Sequence, residues 1–493
     1  MQPAPRTYPP PPAQTLILGV LAVQLVQFVL LGAACGDDTP GDLPDADPET
    51  PVTVTELTVS ENPRNPLSYY VSWRTSAALP THLVVDCGPD YRQSFQDVPP
   101  QPQTRVQHEV FVMGLFPGLS CTVTVHSDWP LLEGQTTATI DAVASLPPPA
   151  PALTVEVLDA SRMEPGWTLW SAADADNSGD AAVVAIDAQA RYRWYYAPGM
   201  NYQAPEPEVM PIDGGVLLGS LRADSQIVSW EGEVQWRVNH RSHHDMVLSP
   251  WNDRHMLFLS NGVDPCPSTG SEEHSAVEMD MDTHEILWEW WICDYWTPRL
   301  AYDGWSHLNA LEPVPDERTM LLSSRNQDAI FKVDRDTSEL LWALGRDGDF
   351  AMDPADHFLR QHSPEAQPDG TILLFDNGLR AQEAANEGLA AREYSRVLQL
   401  ALTFDASGQP DRADVVWEYT DPTVFATSRS EADRLPNGNT LLHYCYVWPD
   451  RNTVLREVTS ELEIVWNVST TPNIASYRSE RFPPYYGNVL TGD

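Results

Sequence analysis

Six times in the later two thirds of this chain a short apolar run ends in a tryptophan. The runs are AQARYRW to Trp194, EGEVQW to Trp236, THEILW to Trp288, SELLW to Trp342, ADVVW to Trp417 and LEIVW to Trp466. Each follows a polar turn, as where Ile330-Phe331-Lys332-Val333-Asp334 turns into Leu340-Leu341-Trp342. A hairpin with one aromatic anchor, repeated at roughly 40–50 residues, marks stacked all-strand units that cannot bury their faces alone. Between these hairpins lies a second kind, with turns at Asp253-Arg254, Asp316-Glu317, Asp369-Gly370 and Asn437-Gly438, each leading into an apolar strand. Two hairpins per unit make a four-stranded blade, and the strand before the Asp or Asn turn is its innermost. The expected fold is all-β, with a six-bladed β-propeller over residues 153–493. The widest gap between anchors, Trp342 to Trp417, predicts a loop insertion near Arg380 to Tyr394.

The preceding segment, residues 52–146, alternates with a period of two, as in Tyr69-Tyr70-Val71-Ser72-Trp73 and Cys121-Thr122-Val123-Thr124-Val125. That pattern predicts a small β-sandwich with Trp73 in its core. Leu115-Phe116-Pro117-Gly118-Leu119-Ser120-Cys121 resembles the corner of a fibronectin type III domain, with Cys121 where that family carries Tyr. The segment holds no catalytic constellation and reads as a spacer or docking module. Pro147-Pro148-Pro149-Ala150-Pro151, within a linker at 147–152, stiffens the junction.

Residues 1–35 contain an apolar run from Leu16 to Ala34 that ends at Cys35, with Arg6 in front. It resembles a bacterial lipoprotein signal, in which the cysteine is lipidated; a simple export signal or a membrane helix are the alternatives. Residues 36–51 are acidic and Pro-rich and read as a disordered tether. Export permits disulfides, and the spacing of the remaining cysteines suggests Cys87–Cys121 and Cys266–Cys293, leaving Cys445. The expected location is the periplasm or the outer membrane, with membrane contact through the lipid anchor only. The formal charge of −41, with Lys332 the single lysine, excludes nucleic acid as a partner. Oligomeric state stays open, a homodimer being compatible.

Prolines before the second kind of turn give a ruler. Six residues back from Pro250, Pro313 and Pro368 stand His244, His307 and His362; six back from Pro436 stands Ser430. Inner strands of a propeller converge on its axis, so equivalent positions face one space. Arg325 falls where Asn261 and Asn377 fall in neighbouring units, one step outward from His307, and Asn309 lies two residues beyond His307, on the same face of a strand. The other histidines, His240, His243, His255, His274, His284, His357 and His443, read as solvated or structural. Three imidazoles suit zinc, but a guanidinium repels a cation and grips oxyanions, so no metal is expected. Imidazole is also a nucleophile near neutral pH. The set fits transfer of a group with three oxygens, whose spreading charge is met by fixed donors. No Gly-rich phosphate loop and no paired-acid metal site accompany it, which excludes nucleotide chemistry and a cofactor.

His243-His244-Asp245-Met246, Trp305-Ser306-His307-Leu308-Asn309 through Ser323-Ser324-Arg325-Asn326-Gln327, and Gln361-His362 with Phe375-Asp376-Asn377-Gly378 together resemble the bacterial arylsulfate sulfotransferases. The resemblance implies a ping-pong reaction from an aryl sulfate to a phenol, through a sulfohistidine and without a nucleotide donor. It implies His362 as nucleophile, His307, Asn309 and Arg325 as holders of the sulfate oxygens, and His244 as proton donor or acceptor. The competing reading is a surface-anchored propeller that binds a ligand or metal without turnover. A quinone-dependent dehydrogenase is disfavoured, since those resemble eight-bladed rings.

Overall fold

The structure is a computed structural model, and it describes residues 50–96, 105–128, 131–175, 181–197, 208–219, 224–239, 242–260, 265–298 and 304–483. The apolar run, Cys35 and the tether lie outside the described residues. No helix among the described residues is long and apolar enough to cross a membrane.

Alternation near the N-terminus becomes two facing four-stranded sheets. One orders Arg105–Val112, Tyr69–Leu79, Val52–Glu61 and Leu132–Gly134; the other orders Arg92–Gln96, His82–Asp86, Ser120–His126 and Thr137–Asp141. Their inward residues, Val71, Trp73, Leu83, Phe95, Val123 and Ile140 among them, form one core in which Trp73 is 1% exposed. Cys87 and Cys121 are disulfide-bonded across it, and Cys266 and Cys293 are bonded further along the chain. Cys445 is free and buried.

The rest of the described chain is a propeller-like succession of six antiparallel sheets. The first contains Trp167–Asp174, Ala181–Ile186 and Tyr192–Tyr196. The second runs from Glu208–Ile212 to Val234–Val238, the third from Ser242–Leu248 to Ile286–Trp291, and the fourth from Leu308–Val314 to Leu340–Gly345. The fifth runs from His362–Ala366 to Pro410–Thr420, and the sixth from Glu431–Arg434 to Ile464–Thr470. Closure uses both ends of this region. Ser479–Phe482 pairs with Trp167–Asp174 in the first sheet, while Leu153–Leu158 pairs with Ile464–Thr470 in the sixth. The insertion after the fifth sheet's second strand carries one short helix, Ala381–Glu387.

The tryptophan anchors explain why the sheets stack in order. All six lie on the fourth strand of their sheets. Trp194 donates its indole N–H to Trp230 O at 2.8 Å, Trp236 to Met281 O at 2.8 Å, Trp288 to Ser338 Oγ at 2.8 Å and Trp417 to Ser460 O at 3.1 Å. Each bond reaches the next sheet. Trp466 in the sixth returns to Ala188 O in the first, at 2.8 Å. Trp342 instead packs its ring edge-on against Phe350. A large ring that fills the gap between sheets while its polar edge is satisfied across the gap suits a position of this kind.

The sandwich docks on the first two sheets. Met113 and Phe111 pack with Trp167, Trp230 and Phe482, and Arg193 Nη1 donates to Gly114 O at 2.9 Å. Asn62 Nδ2 and the Tyr70 hydroxyl both donate to Glu231, at 2.8 and 2.6 Å. Gly114 has a φ of +81°, and a Cβ there would meet the Trp167 ring at 2.6 Å. Gly114→Ala is therefore expected to destabilise the protein by about 1–3 kcal/mol, from the left-handed backbone and the displaced ring. A lower calorimetric midpoint, with faster proteolytic cutting at the 147–152 junction, is the expected result; an unchanged midpoint would contradict the docking.

Candidate active site

The inner strands do not enter the channel as plain strands. In the third sheet the pairing shifts between Ser242 and Met246, and His244 between them has φ +61°. In the fourth it shifts between Leu308 and Ala310, just after His307 with φ +40°. In the fifth it shifts between His362 and Glu365, with Ser363 at φ +46°, and in the sixth Arg429 and Ser430 precede the strand at +60° and +78°. Each is a bulge at one level of the ring. A bulge re-aims a side chain, at about 1–3 kcal/mol for a non-glycine residue in this region. The repeat position found with the proline ruler is thus a repeated backbone device. It also breaks the simple alternation expected to put Asn309 on the His307 face.

His244 and His307 meet, with their Nε2 atoms 3.0 Å apart, so one of the two donates a proton to the other. Tyr477, fully buried, stacks on His244 with ring centres 5.5 Å apart and planes 10° apart. Two histidines read from the sequence as structural join them. His243 lies 3.6 Å from His244 and 4.5 Å from His274, ring centre to ring centre, and His274 lies 5.8 Å from His307. Burial drives the His244, His307 and His274 pKa values well below the usual imidazole range; neighbouring imidazoles add to this at His244 and His274, and the Arg325 charge adds at His307. The cluster is therefore neutral around neutral pH.

His362 is 2% exposed and has a defined tautomer. Its Nδ1 faces two acceptors, Arg360 O at 3.0 Å and Asn377 Oδ1 at 2.6 Å. The Asn377 orientation is fixed because its Nδ2 donates to Ala426 O and Arg429 O, at 2.8 and 3.0 Å. Nδ1 therefore carries the proton and Nε2 the lone pair, which accepts the Arg429 N–H at 3.1 Å. Burial, then the Arg325 charge, pushes the His362 pKa down to about 3. This ring keeps its lone pair across the working pH range. Its charge when protonated would also oppose protonation of His244 and His307, which puts it in the same electrostatic neighbourhood.

Arg325 opens a 3-10 turn after the fourth sheet's second strand. Its N–H donates to His307 O at 3.0 Å and its Nη1 to Asn326 Oδ1 at 3.0 Å. Asn309 is fully buried, and its Nδ2 donates to Gln361 O at 2.7 Å. That amide holds the peptide just before His362. Asn309 O in turn accepts from the Tyr477 hydroxyl and from Arg478 Nη2, both at 3.2 Å.

The model of the arylsulfotransferase (ASST) family matches residues 154–478, more than half of the chain. The chain belongs to the arylsulfotransferase family. An arylsulfotransferase-type function, acting on small aryl substrates, follows from that membership. No curated protein sequence matches the chain. Among solved structures, the WD40 domain of Toxoplasma gondii coronin is 10% identical, covering 69% of this chain and 85% of that one at a TM-score of 0.33. The β-propeller domain of Myceliophteria thermophila Cps50 (Swd1) is 9% identical, covering 65% and 100% at 0.35. Kuenenia stuttgartiensis hydrazine synthase is 14% identical, covering 53% of this chain and 65% of that one at 0.32, so this chain spans just under two thirds of its length.

In this arylsulfotransferase the channel behind the histidines is acidic. A cavity of about 260 Å³ is lined by Asp245, Glu312, Glu365, Glu431, Asp433 and Glu480, with Arg434, Arg478 and Arg481 among its other residues. No three histidine nitrogens converge within 4.8 Å among the described residues; the one group that meets this spacing is Cys266, Cys293 and Asp294, whose cysteines are disulfide-bonded. Of the residues that the ruler missed, His243 and His274 lie off the repeat position, and Tyr477 and Arg478 come from the closing segment, which has no equivalent in the repeat. Asn261 lies outside the described residues.

Burial, with Glu365 and Asp245 beside it, pushes Glu312 up to about 8. The unfolded chain ionises this group near 4.5, so its protonation favours the fold at low pH and that contribution is lost as pH rises through the folded value. Glu312→Gln is expected to be more stable than wild type at pH 9, by on the order of 1–2 kcal/mol after allowance for water in the channel, with the advantage vanishing below pH 5. Thermal unfolding across that range measures it. A difference independent of pH would contradict the assignment.

Proposed function

We propose that the protein transfers a sulfuryl group from an aryl sulfate to a phenol through a sulfohistidine at His362, on a ring of six blades. The observation that carries this is the His362 tautomer: a buried, neutral imidazole whose lone pair sits on Nε2, beside a proton-sharing histidine pair. In the first half-reaction Nε2 attacks sulfur, the N–S bond forms and the S–O bond to the aryl group breaks. The leaving phenolate takes a proton from the His244–His307 pair. In the second, the acceptor phenol returns a proton to that pair, its oxygen attacks sulfur and the N–S bond breaks. Protons and charge balance over the cycle, with neither cofactor nor nucleotide.

Arg325 and His307 are assigned to the sulfuryl oxygens, where donors fixed in advance are worth about 3–4 kcal/mol each in related chemistry. Asn309 contributes through the Gln361 peptide that carries His362. The Arg429 N–H, now on the nucleophile's lone pair, yields as the sulfuryl group enters and can then meet one of its oxygens. The two disulfides support an exported protein. Lipidation at Cys35 and anchoring at the outer membrane complete the reading, with the N-terminal sandwich, fibronectin type III-like, as its spacer.

Incubation with 4-nitrophenyl sulfate should leave one sulfuryl group on the intact protein, mapped to His362, and added phenol should remove it. His362→Ala should abolish labelling and release of 4-nitrophenol. A wild type that releases no 4-nitrophenol, with or without phenol, would overturn the transfer reading.

The pair must be protonated to serve the leaving group, yet burial holds it neutral. A bound anion raises its pKa, so donor binding takes up a proton. Affinity for inorganic sulfate, measured by calorimetry, is therefore expected to rise as pH falls from 8 to 6, by at most about tenfold per pH unit for one proton. Affinity that is flat or falls over this range would remove the pair from the proton's path.

A further inference from the structure

The turn that delivers His307 is built against a carboxylate from the neighbouring sheet. Glu273 precedes the third sheet's strand Ser275–Asp280 and is fully buried. Its Oε2 accepts both the N–H and the O–H of Ser306, at 3.2 and 2.7 Å. Gly304 N–H donates to Glu272 O at 2.9 Å, so the segment 272–274 holds the turn 304–306 along its length. On its other side, Ser306 O accepts the Ser324 hydroxyl and His307 O accepts the Arg325 N–H.

Ser306 Oγ donates to Glu273, so toward His274 Nδ1, 3.3 Å away, it is the acceptor. His274 therefore carries its proton on Nδ1 and presents its lone pair at Nε2. Its ring packs on His243 and stands against His307. Burial raises the Glu273 carboxyl, while hydrogen bonds from Ser306, Trp305 and Gly304 pull it back. A buried carboxylate is costly unless donors surround it, and the donors here are those of the His307 turn. His307 in turn needs an outside hold, because its φ of +40° is unfavourable for a residue with a side chain.

We propose that Glu273 is a positioning residue for the sulfuryl site: through Ser306 it fixes the strained turn that aims His307 at the anion, and through the same hydroxyl it orients His274 behind it. This rests on the reading of His307 as a sulfuryl-oxygen donor, and deepens it. A displacement of a few tenths of an ångström to one ångström at such a group is enough to cost on the order of 100-fold in rate.

The test is inorganic sulfate binding by calorimetry on the full chain, alongside transfer from 4-nitrophenyl sulfate to phenol. Glu273→Ala is expected to weaken sulfate binding about tenfold and to lower kcat/KM on the order of 100-fold, with KM raised as well as kcat lowered. Glu273→Gln, whose amide oxygen can still accept both Ser306 hydrogens, should recover most of each loss. A merely structural role would reduce the folded, active fraction but leave the sulfate affinity and KM of the folded molecules unchanged. Ser306→Ala, which keeps the peptide N–H, should weaken sulfate binding about threefold and serves if Glu273→Ala does not fold. Sulfate affinity within twofold of wild type in these variants overturns the proposal, as does a Gln variant no better than Ala, or a wild type that binds no sulfate. A wild type that binds sulfate but transfers nothing sinks the transfer reading alone.

Discussion

Arg478 is the tie on which the geometry of the ring's centre depends. It arrives on the closing segment, just before the strand Ser479–Phe482 completes the first sheet. Its Nη2 lies 3.0 Å from Asp245 Oδ2 in the third sheet and 3.2 Å from Asn309 O in the fourth, and its Nε lies 3.6 Å from Glu431 in the sixth. Asp245 Oδ2 accepts the Leu311 N–H as well, at 2.6 Å, crossing from the third sheet to the fourth. A planar guanidinium with several donors can serve three sheets at once, where a lysine ammonium could not hold the same angles. Removing it would leave Asp245 and Glu431 buried without their cation, a far larger cost than the net worth of the pair. His244 and Asn309 sit one residue or one bond from these contacts, so ring closure and site assembly are one event.

The same arrangement accounts for an anion-handling site in a chain of formal charge −41. Acidic residues line the cavity behind the histidines, while Arg325 stands with His307 and His362. Carboxylates in the channel repel an aryl sulfate from going deeper, and the local cation with neutral imidazoles favours it at one level. Global charge governs solubility and approach; the handful of groups within a few ångströms governs where the anion stops.

Much of this was legible from residues alone, for a physical reason. Repetition turns spacing into geometry: Pro250, Pro313 and Pro368 mark the same point in three sheets, so His244, His307 and His362 reach the same level. The tryptophan at the end of each fourth strand marks where one sheet meets the next. What could not be read is whatever repetition does not carry. His274 lies outside the register, and its place depends on how the third sheet's segment folds against Ser306. Tyr477 and Arg478 belong to the closing strand, which replaces a repeat position. Asn309 follows the alternation rule in sequence, but the bulge after His307 turns its amide toward Gln361.

The bulges also bear on why neutral histidines suit this chemistry. Left-handed residues at His244, His307, Ser363 and Arg429–Ser430 bring side chains and peptide groups into a narrow space that water does not fill freely. That space lowers imidazole pKa values by desolvation, and the lowering is what leaves a lone pair on His362 Nε2. A solvent-exposed histidine would spend part of its time protonated near neutral pH and would lose its nucleophile when the proton arrived. Here the proton is kept off the nucleophile by burial and by the Arg325 charge, and the His244–His307 pair gains one only when an anion enters. Strain in the backbone, stored at one level of the ring, thus separates the group that attacks sulfur from the groups that carry the proton.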